Sequence, residues 1–149
     1  MIKYVKGDLL AAKTEAVVNT INTVGAMGKG IAKQFANKYP ELLRVYRQKC
    51  KEKKINTGEM FVFELDTDNP KIIINFPTKK HWIDNSKMSY IIDGLKSLVE
   101  EIQQRNIKSI SIPPLGCGNG NLEWKNVKPL IEEAFQVLPE VEVIIYEPI

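Results

Sequence analysis

The sequence predicts an α/β fold, a sheet covered by helices on both faces. Two observations carry this. Short runs rich in Val, Ile and Phe alternate along the chain with segments whose apolar residues recur every three or four positions. The glycine-rich stretches fall directly after such runs, where a sheet of this class leaves a crevice outside its strand ends. At 149 residues the chain fits one domain, 1–149, and is long enough to bury a real core.

The elements follow in order. Residues Ile2–Val5 alternate as a strand, and residues 16–19 form a second, apolar one. Two helices are expected over Gly30–Lys38 and residues 41–53, separated by Pro40. Residues 60–64 and 71–75 read as strands. Between residues 86 and 105, Ile91, Ile92, Leu95, Leu98, Val99 and Ile102 mark one face of a long amphipathic helix. Ser109–Ile112 is another strand. Val127, Leu130, Ile131, Ala134, Phe135 and Leu138 repeat the helical spacing, with Pro129 suited to the first turn. Glu142–Tyr146 closes the sheet. No repeat, low-complexity tract or linker interrupts this order.

Composition narrows the function classes. The hydrophobic fraction is 44% and the charged fraction 26%, as in an ordinary soluble protein. No apolar run approaches the roughly 20 residues of a membrane span, and the N-terminus lacks the h-region of a signal peptide. Cys50, Cys117 and the single His81 form neither a disulfide framework nor a zinc set. A cytoplasmic protein without metal, membrane contact or cofactor is the expectation. A net charge of +3 matters only if the lysines gather at a pocket.

Three segments bear chemistry. Residues 113–121, P-P-L-G-C-G-N-G-N, place Gly116, Gly118 and Gly120 at alternate positions after a strand. Glycine lets several N–H groups turn towards one point, which suits a phosphate, although a plain tight connection would use the same residues. No Gly-Lys-Ser/Thr follows, so this is not a Walker loop. Residues 19–30 carry glycines as G-x-x-G-x-G, which is not the dinucleotide fingerprint. Asn22 there suits either a sugar hydroxyl or the fixing of its own turn. Residues 75–82, N-F-P-T-K-K-H-W, deliver two lysines, a histidine and a tryptophan at a strand end. They read either as a solvated basic turn or as a lysine set at a ligand, where burial and a second cation disfavour the ammonium. Cys117 has no second histidine to activate it and fits as a small turn residue. Asp8 suits an exocyclic amine or a turn cap, and Tyr146 an adenine face or the core.

Taken together, V-x-G-D-L, V-V-N-T-I-N-T-V-G-A-M-G-K-G-I-A-x-Q-F, N-F-P-T-K-K-H-W and P-P-L-G-C-G-N-G-N-L-E-W resemble the macrodomain family. More narrowly they resemble the DarG-type DNA ADP-ribosyl glycohydrolases, antitoxin partners of DarT toxins. The resemblance runs from Lys3 to Tyr146. It implies a three-layer α/β/α fold with a mixed central sheet and ADP-ribose, as ligand and product, across the strand ends. By motif, Asp8 and Leu9 would meet adenine beside Tyr146. Pro114 and the loop Gly116, Cys117, Gly118, Asn119 and Gly120 would wrap the pyrophosphate, opposed by Met27, Gly28, Gly30 and Ile31. Asn22 would face the distal ribose, and Lys79 matches the catalytic lysine.

The resemblance also implies a substrate: ADP-ribose on thymidine in single-stranded DNA, flanked by Lys80, Trp82 and Lys87 as contacts. Lys79 would attack the sugar directly or activate water. Gly120 stands where the related human terminal ADP-ribose glycohydrolase has an aspartate, which favours the DNA substrate over a protein ester. A non-catalytic ADP-ribose reader is the alternative. A DarT-type toxin is an expected partner if the chain belongs to a longer antitoxin, and a monomer is the expected state.

Overall fold

The computed structural model describes all residues, Met1–Ile149. Six strands form one mixed sheet: β1 (Ile2–Val5), β2 (Ala16–Asn22), β3 (Phe61–Glu64), β4 (Ile72–Lys79), β5 (Ser109–Ile112) and β6 (Glu142–Tyr146). Their order is β1-β6-β5-β2-β4-β3. All neighbours run parallel except the edge strand β3, which pairs antiparallel with β4. Four helices complete the chain: α1 (Gly30–Lys38), α2 (Pro40–Lys51), α3 (Met88–Arg105) and α4 (Trp124–Phe135). None is long and apolar enough to cross a membrane.

The period of two along the central strands builds the layers. Val17, Ile21 and Ile73 point into one core with Phe35 and Ala36 of α1 and Leu42 and Tyr46 of α2. Ala16, Val18, Ile72, Ile74 and Phe76 point into the other, against Ile91, Leu95, Leu98 and Ile102 of α3 and Val127 and Ile131 of α4. β2 and β4 are covered on both faces, which is why both read as nearly unbroken apolar runs. Each fully buried Leu or Ile stabilises this arrangement by roughly 1.5–3 kcal/mol.

Several boundaries differ from the sequence expectation, and four of them bear on the site or on a proline. β2 continues to Asn22 and β4 to Lys79, so the segments expected as loops begin as strand. Pro77 signals an end to β4 but is tolerated, because β3 pairs only as far as Asn75 and the β2–β4 register shifts nearby. Pro40 does not separate the first two helices. Tyr39 ends α1 and caps α2, leaving Pro40 at the first helical position, where its fixed φ is favourable. α4 begins at Trp124, so Pro129 lies inside the helix rather than in its first turn. Glu123 carbonyl accepts from Asn126 and Val127 N–H and sets that earlier start.

Candidate ADP-ribose cleft

The parallel strands β2, β4, β5 and β6 end on one side of the sheet, and a cleft of about 1110 Å³ opens there. Its size reaches the upper end of small-ligand sites, about 300–1,000 Å³. Two lysines, Lys29 and Lys79, line it, and no acidic side chain does. Such a wall suits an anionic ligand.

One wall is the loop after β5. Gly116 adopts a φ of 72°, and a Cβ there would stand 2.8 Å from Leu122 Cδ1. Gly116 carbonyl accepts from Leu122 N–H at 2.9 Å, and Ser86 N–H donates to Gly120 carbonyl at 2.9 Å. These bonds pull the loop into an arc. The N–H groups of Gly118, Asn119 and Gly120 donate to no protein acceptor and sit in the cleft wall. Three successive unengaged donors make an anion-binding nest. Cys117 contributes no nucleophile: burial pushes its thiol up to about 11, and Sγ lies 3.5 Å from Leu115 carbonyl.

The opposite wall is the start of α1. Gly30 takes a φ of 58°, and Lys29, the N-cap, makes no side-chain capping bond. Gly28, Lys29, Gly30, Ile31 and Ala32 line the cleft there. The first-turn N–H groups of a helix have no internal acceptor and carry the positive end of its dipole. Two anion-binding elements therefore face each other across one groove.

The floor joins Asn22 and Lys79, register partners at the ends of β2 and β4. Asn22 is buried; its Oδ1 accepts from Val24 and Ala26 N–H at 3.1 and 3.3 Å. It thus fixes its own turn and also lines the cleft. Lys79 Nζ donates to Trp82 carbonyl at 2.9 Å and to Asn119 carbonyl at 3.0 Å. An ammonium has three donors, so one remains. Burial first, then the Lys29 charge, lower the Lys79 pKa from the ordinary lysine value, while Asp84 opposes them.

The cleft brings together Asn22, Gly28, Gly30, Ile31, Lys79, Trp82, Pro114, Gly116, Cys117, Gly118, Asn119 and Gly120. Six expected contacts lie off its wall. Leu9 and Met27 are core residues, each 5% exposed. Asp8 caps the turn at Leu9–Ala11, accepting from Leu10 N–H at 2.9 Å. Tyr146 is partly buried against the core beneath α1 and α2; burial and then the nearby Asp8 charge raise its phenol pKa. Lys80 is exposed and contributes its carbonyl to Thr23. Lys87 Nζ sits 5.7 Å over the Tyr90 ring. Neither lysine lines the cleft with Lys79, whose amine bonds to the Trp82 and Asn119 carbonyls. Lys29 went unnoticed in the sequence, although its place between Gly28 and Gly30 ahead of a helix was the available signal. Ser86 was missed too; its hydroxyl donates to Thr78 carbonyl and its N–H ties down Gly120.

Residues 18–131 match the family model of the macro domain. A DNA ADP-ribosyl glycohydrolase of Mycobacterium tuberculosis is 52% identical over 149 residues, 99% of this chain and 42% of that protein. The chain thus spans about two-fifths of the length of that relative. The solved macrodomain of Mycobacterium tuberculosis DarG is 52% identical with a TM-score of 0.98, covering 100% of this chain and 99% of that one. Thermosipho africanus DarTG, solved in complex with ADP-ribose, is 32% identical with a TM-score of 0.93, covering 99% of this chain and 42% of that one. With the three layers, the paired anion walls and these likenesses agreeing, the chain belongs to the macrodomain family.

Proposed function

We propose that this domain is an ADP-ribosyl glycohydrolase that removes ADP-ribose from thymidine bases of DNA. The observation that carries the proposal is the placement of the Lys79 amine. Lys79 is the register partner of Asn22 on the neighbouring strand, and its amine is tied to the nest through Asn119 carbonyl. A ligand whose pyrophosphate lies in the nest directs its distal ribose to this end of the groove. Burial and the nearby Lys29 charge lower the Lys79 pKa and so favour the neutral amine more than in an ordinary lysine. In the net reaction water oxygen bonds to C1″ and the C1″–N bond to thymine breaks. The base takes up the proton that water gives. Lys79 serves either as transient nucleophile or by activating that water.

Relatives named DNA ADP-ribosyl glycohydrolase support the substrate, as does a DarTG structure holding ADP-ribose. A fused transferase–glycohydrolase relative supports a DarT-type toxin as partner. Trp82, 51% exposed on the rim, offers a face for an unpaired base beside the modified one. The test is release of ADP-ribose from a thymidine-ADP-ribosylated single-stranded oligonucleotide, with an ester-modified protein in parallel. The native chain is expected to act on the oligonucleotide, and Lys79→Ala to bind ADP-ribose but lose at least about 100-fold in turnover, as for a removed general acid–base group. Equal release by both proteins would sink the proposal, and release from the ester alone would redirect it.

A further inference from the structure

Asn22 is held by a residue outside the cleft. Tyr46 of α2 is completely buried, and its hydroxyl lies 2.8 Å from Asn22 Oδ1 and 2.6 Å from Asn22 carbonyl oxygen. Both are acceptors, so the single hydroxyl proton is shared towards Asn22. The amide oxygen is then surrounded by the Tyr46 hydroxyl and the N–H groups of Val24 and Ala26. On the other side Nδ2 donates one hydrogen to Ala26 carbonyl at 2.8 Å. An amide nitrogen has two hydrogens, so one is left for the cleft that Asn22 lines. Flipping the amide would set NH₂ against two N–H groups and oxygen against a carbonyl. Burial keeps the phenol protonated, its pKa far above the ordinary value, so the donor persists at every working pH.

We infer that Tyr46 is a positioning residue that locks Asn22 as a hydrogen-bond donor to a ribose oxygen at the Lys79 end of the cleft. The inference rests on reading the cleft as an ADP-ribose site, not on the DNA substrate. It also states a specificity: the ligand group at Asn22 must be an acceptor, a hydroxyl or ring oxygen rather than an amine.

The experiment measures ADP-ribose and ADP binding by calorimetry for the native chain, Tyr46→Phe, Asn22→Ala and the double variant. ADP lacks the distal ribose and serves as the control that a change in packing would move. Tyr46→Phe is expected to weaken ADP-ribose binding by about 3- to 10-fold, one hydrogen bond's worth, and to leave ADP unchanged. The double variant is expected to bind no worse than Asn22→Ala, because both remove one contact. Equal losses for ADP and ADP-ribose, multiplying penalties, or unchanged ADP-ribose affinity would each overturn the inference. So would a native chain that binds ADP-ribose no more tightly than ADP. Asn22→Asp keeps the shape but replaces the donor. It is expected to lose ADP-ribose selectively even if Tyr46→Phe does not fold, and native-like binding by it refutes the lock. A chain that shows this pattern yet releases nothing from DNA fails the proposed reaction while supporting the role of Tyr46.

Discussion

Gly120 tests the geometry of the nest most sharply, because the structure leaves no room for a Cβ there. An added Cβ would lie 2.4 Å from Gly116 carbonyl oxygen and 2.9 Å from both Gly116 carbonyl carbon and Ser86 Cβ. The nearest atoms are backbone, so no side-chain rotation relieves the contact. Regaining an ordinary 3.4 Å from the oxygen requires the two arms of the loop to part by about 1 Å. Gly116 carbonyl also holds Leu122 N–H, and Gly120 carbonyl holds Ser86 N–H. Both bonds are strained by that opening. Overpacking of this kind costs about 1–3 kcal/mol. At about 2–4 °C per kcal/mol for a domain of this size, Gly120→Ala should melt about 2–12 °C lower than the native chain. Displacing one amide–phosphate bond, about 1.5–3 kcal/mol, should weaken ADP-ribose about 10- to 100-fold. Gly118→Ala is the control. Nothing lies within 4 Å of its Cβ, so its melting temperature should match the native one. Thermal unfolding and calorimetry on the three proteins read both effects. A Gly120→Ala chain with native melting temperature and native affinity refutes the reasoning.

Two further outcomes follow from neighbouring residues. Burial chiefly, and Lys29 next, lower the Lys79 pKa, and in the proposed reaction the amine acts in its neutral form. Turnover should therefore rise as pH climbs through that lowered value. Lys29→Gln should move the rise to higher pH and Asp84→Asn to lower pH; a pH–rate profile unmoved by both contradicts the coupling. In the core, a Cβ on Gly94 of α3 would lie 2.3 Å from Cζ of the fully buried Phe76 ring. Gly94→Ala should lower the urea midpoint, because about 1–3 kcal/mol of overpacking exceeds the roughly 1 kcal/mol gained in helix propensity; a raised midpoint would contradict this close approach.

The strands and helices that carry strong local patterns were legible. Ile2–Val5, Ser109–Ile112, Glu142–Tyr146 and Gly30–Lys38 have the bounds their periodicity predicts. β2 and β4 were cut short because their last residues, Asn22 on one and Pro77 and Lys79 on the other, are poor strand formers. Pairing between the two strands overrides that preference. The same pairing sets Asn22 beside Lys79, and no feature of either segment encodes the register. Glycine spacing revealed both walls of the groove, since backbone that must approach an anion needs residues without side chains. That Lys80 and Lys87 lie off the cleft wall was not legible, because charge is visible in a sequence and direction is not. Lys79, the last residue of β4, is buried, while Lys80, past the strand end, is exposed. Tyr46 was invisible as a functional residue, 24 positions from Asn22 and indistinguishable from other apolar positions of an amphipathic helix.

The hydrogen bond from Lys79 to Asn119 carbonyl gives the cleft a mechanical logic that neither segment has alone. Asn119 lies between Gly118 and Gly120, so in the proposed binding mode one peptide group offers its N–H to the pyrophosphate while the next presents the carbonyl that holds the amine. An anion that fixes the loop by its N–H groups also fixes Lys79. This division of labour explains how the site manages without an acidic side chain on its wall. An acid in the nest would repel the pyrophosphate and, by pairing with Lys79, would hold the amine charged. Two neutral carbonyls orient the same amine while leaving burial free to lower its pKa. Gly120 serves this arrangement twice: its missing side chain lets the loop close on Gly116, and its own carbonyl anchors the loop to Ser86. In the proposed reaction, positioning of the pyrophosphate and poise of the lysine are therefore properties of one loop.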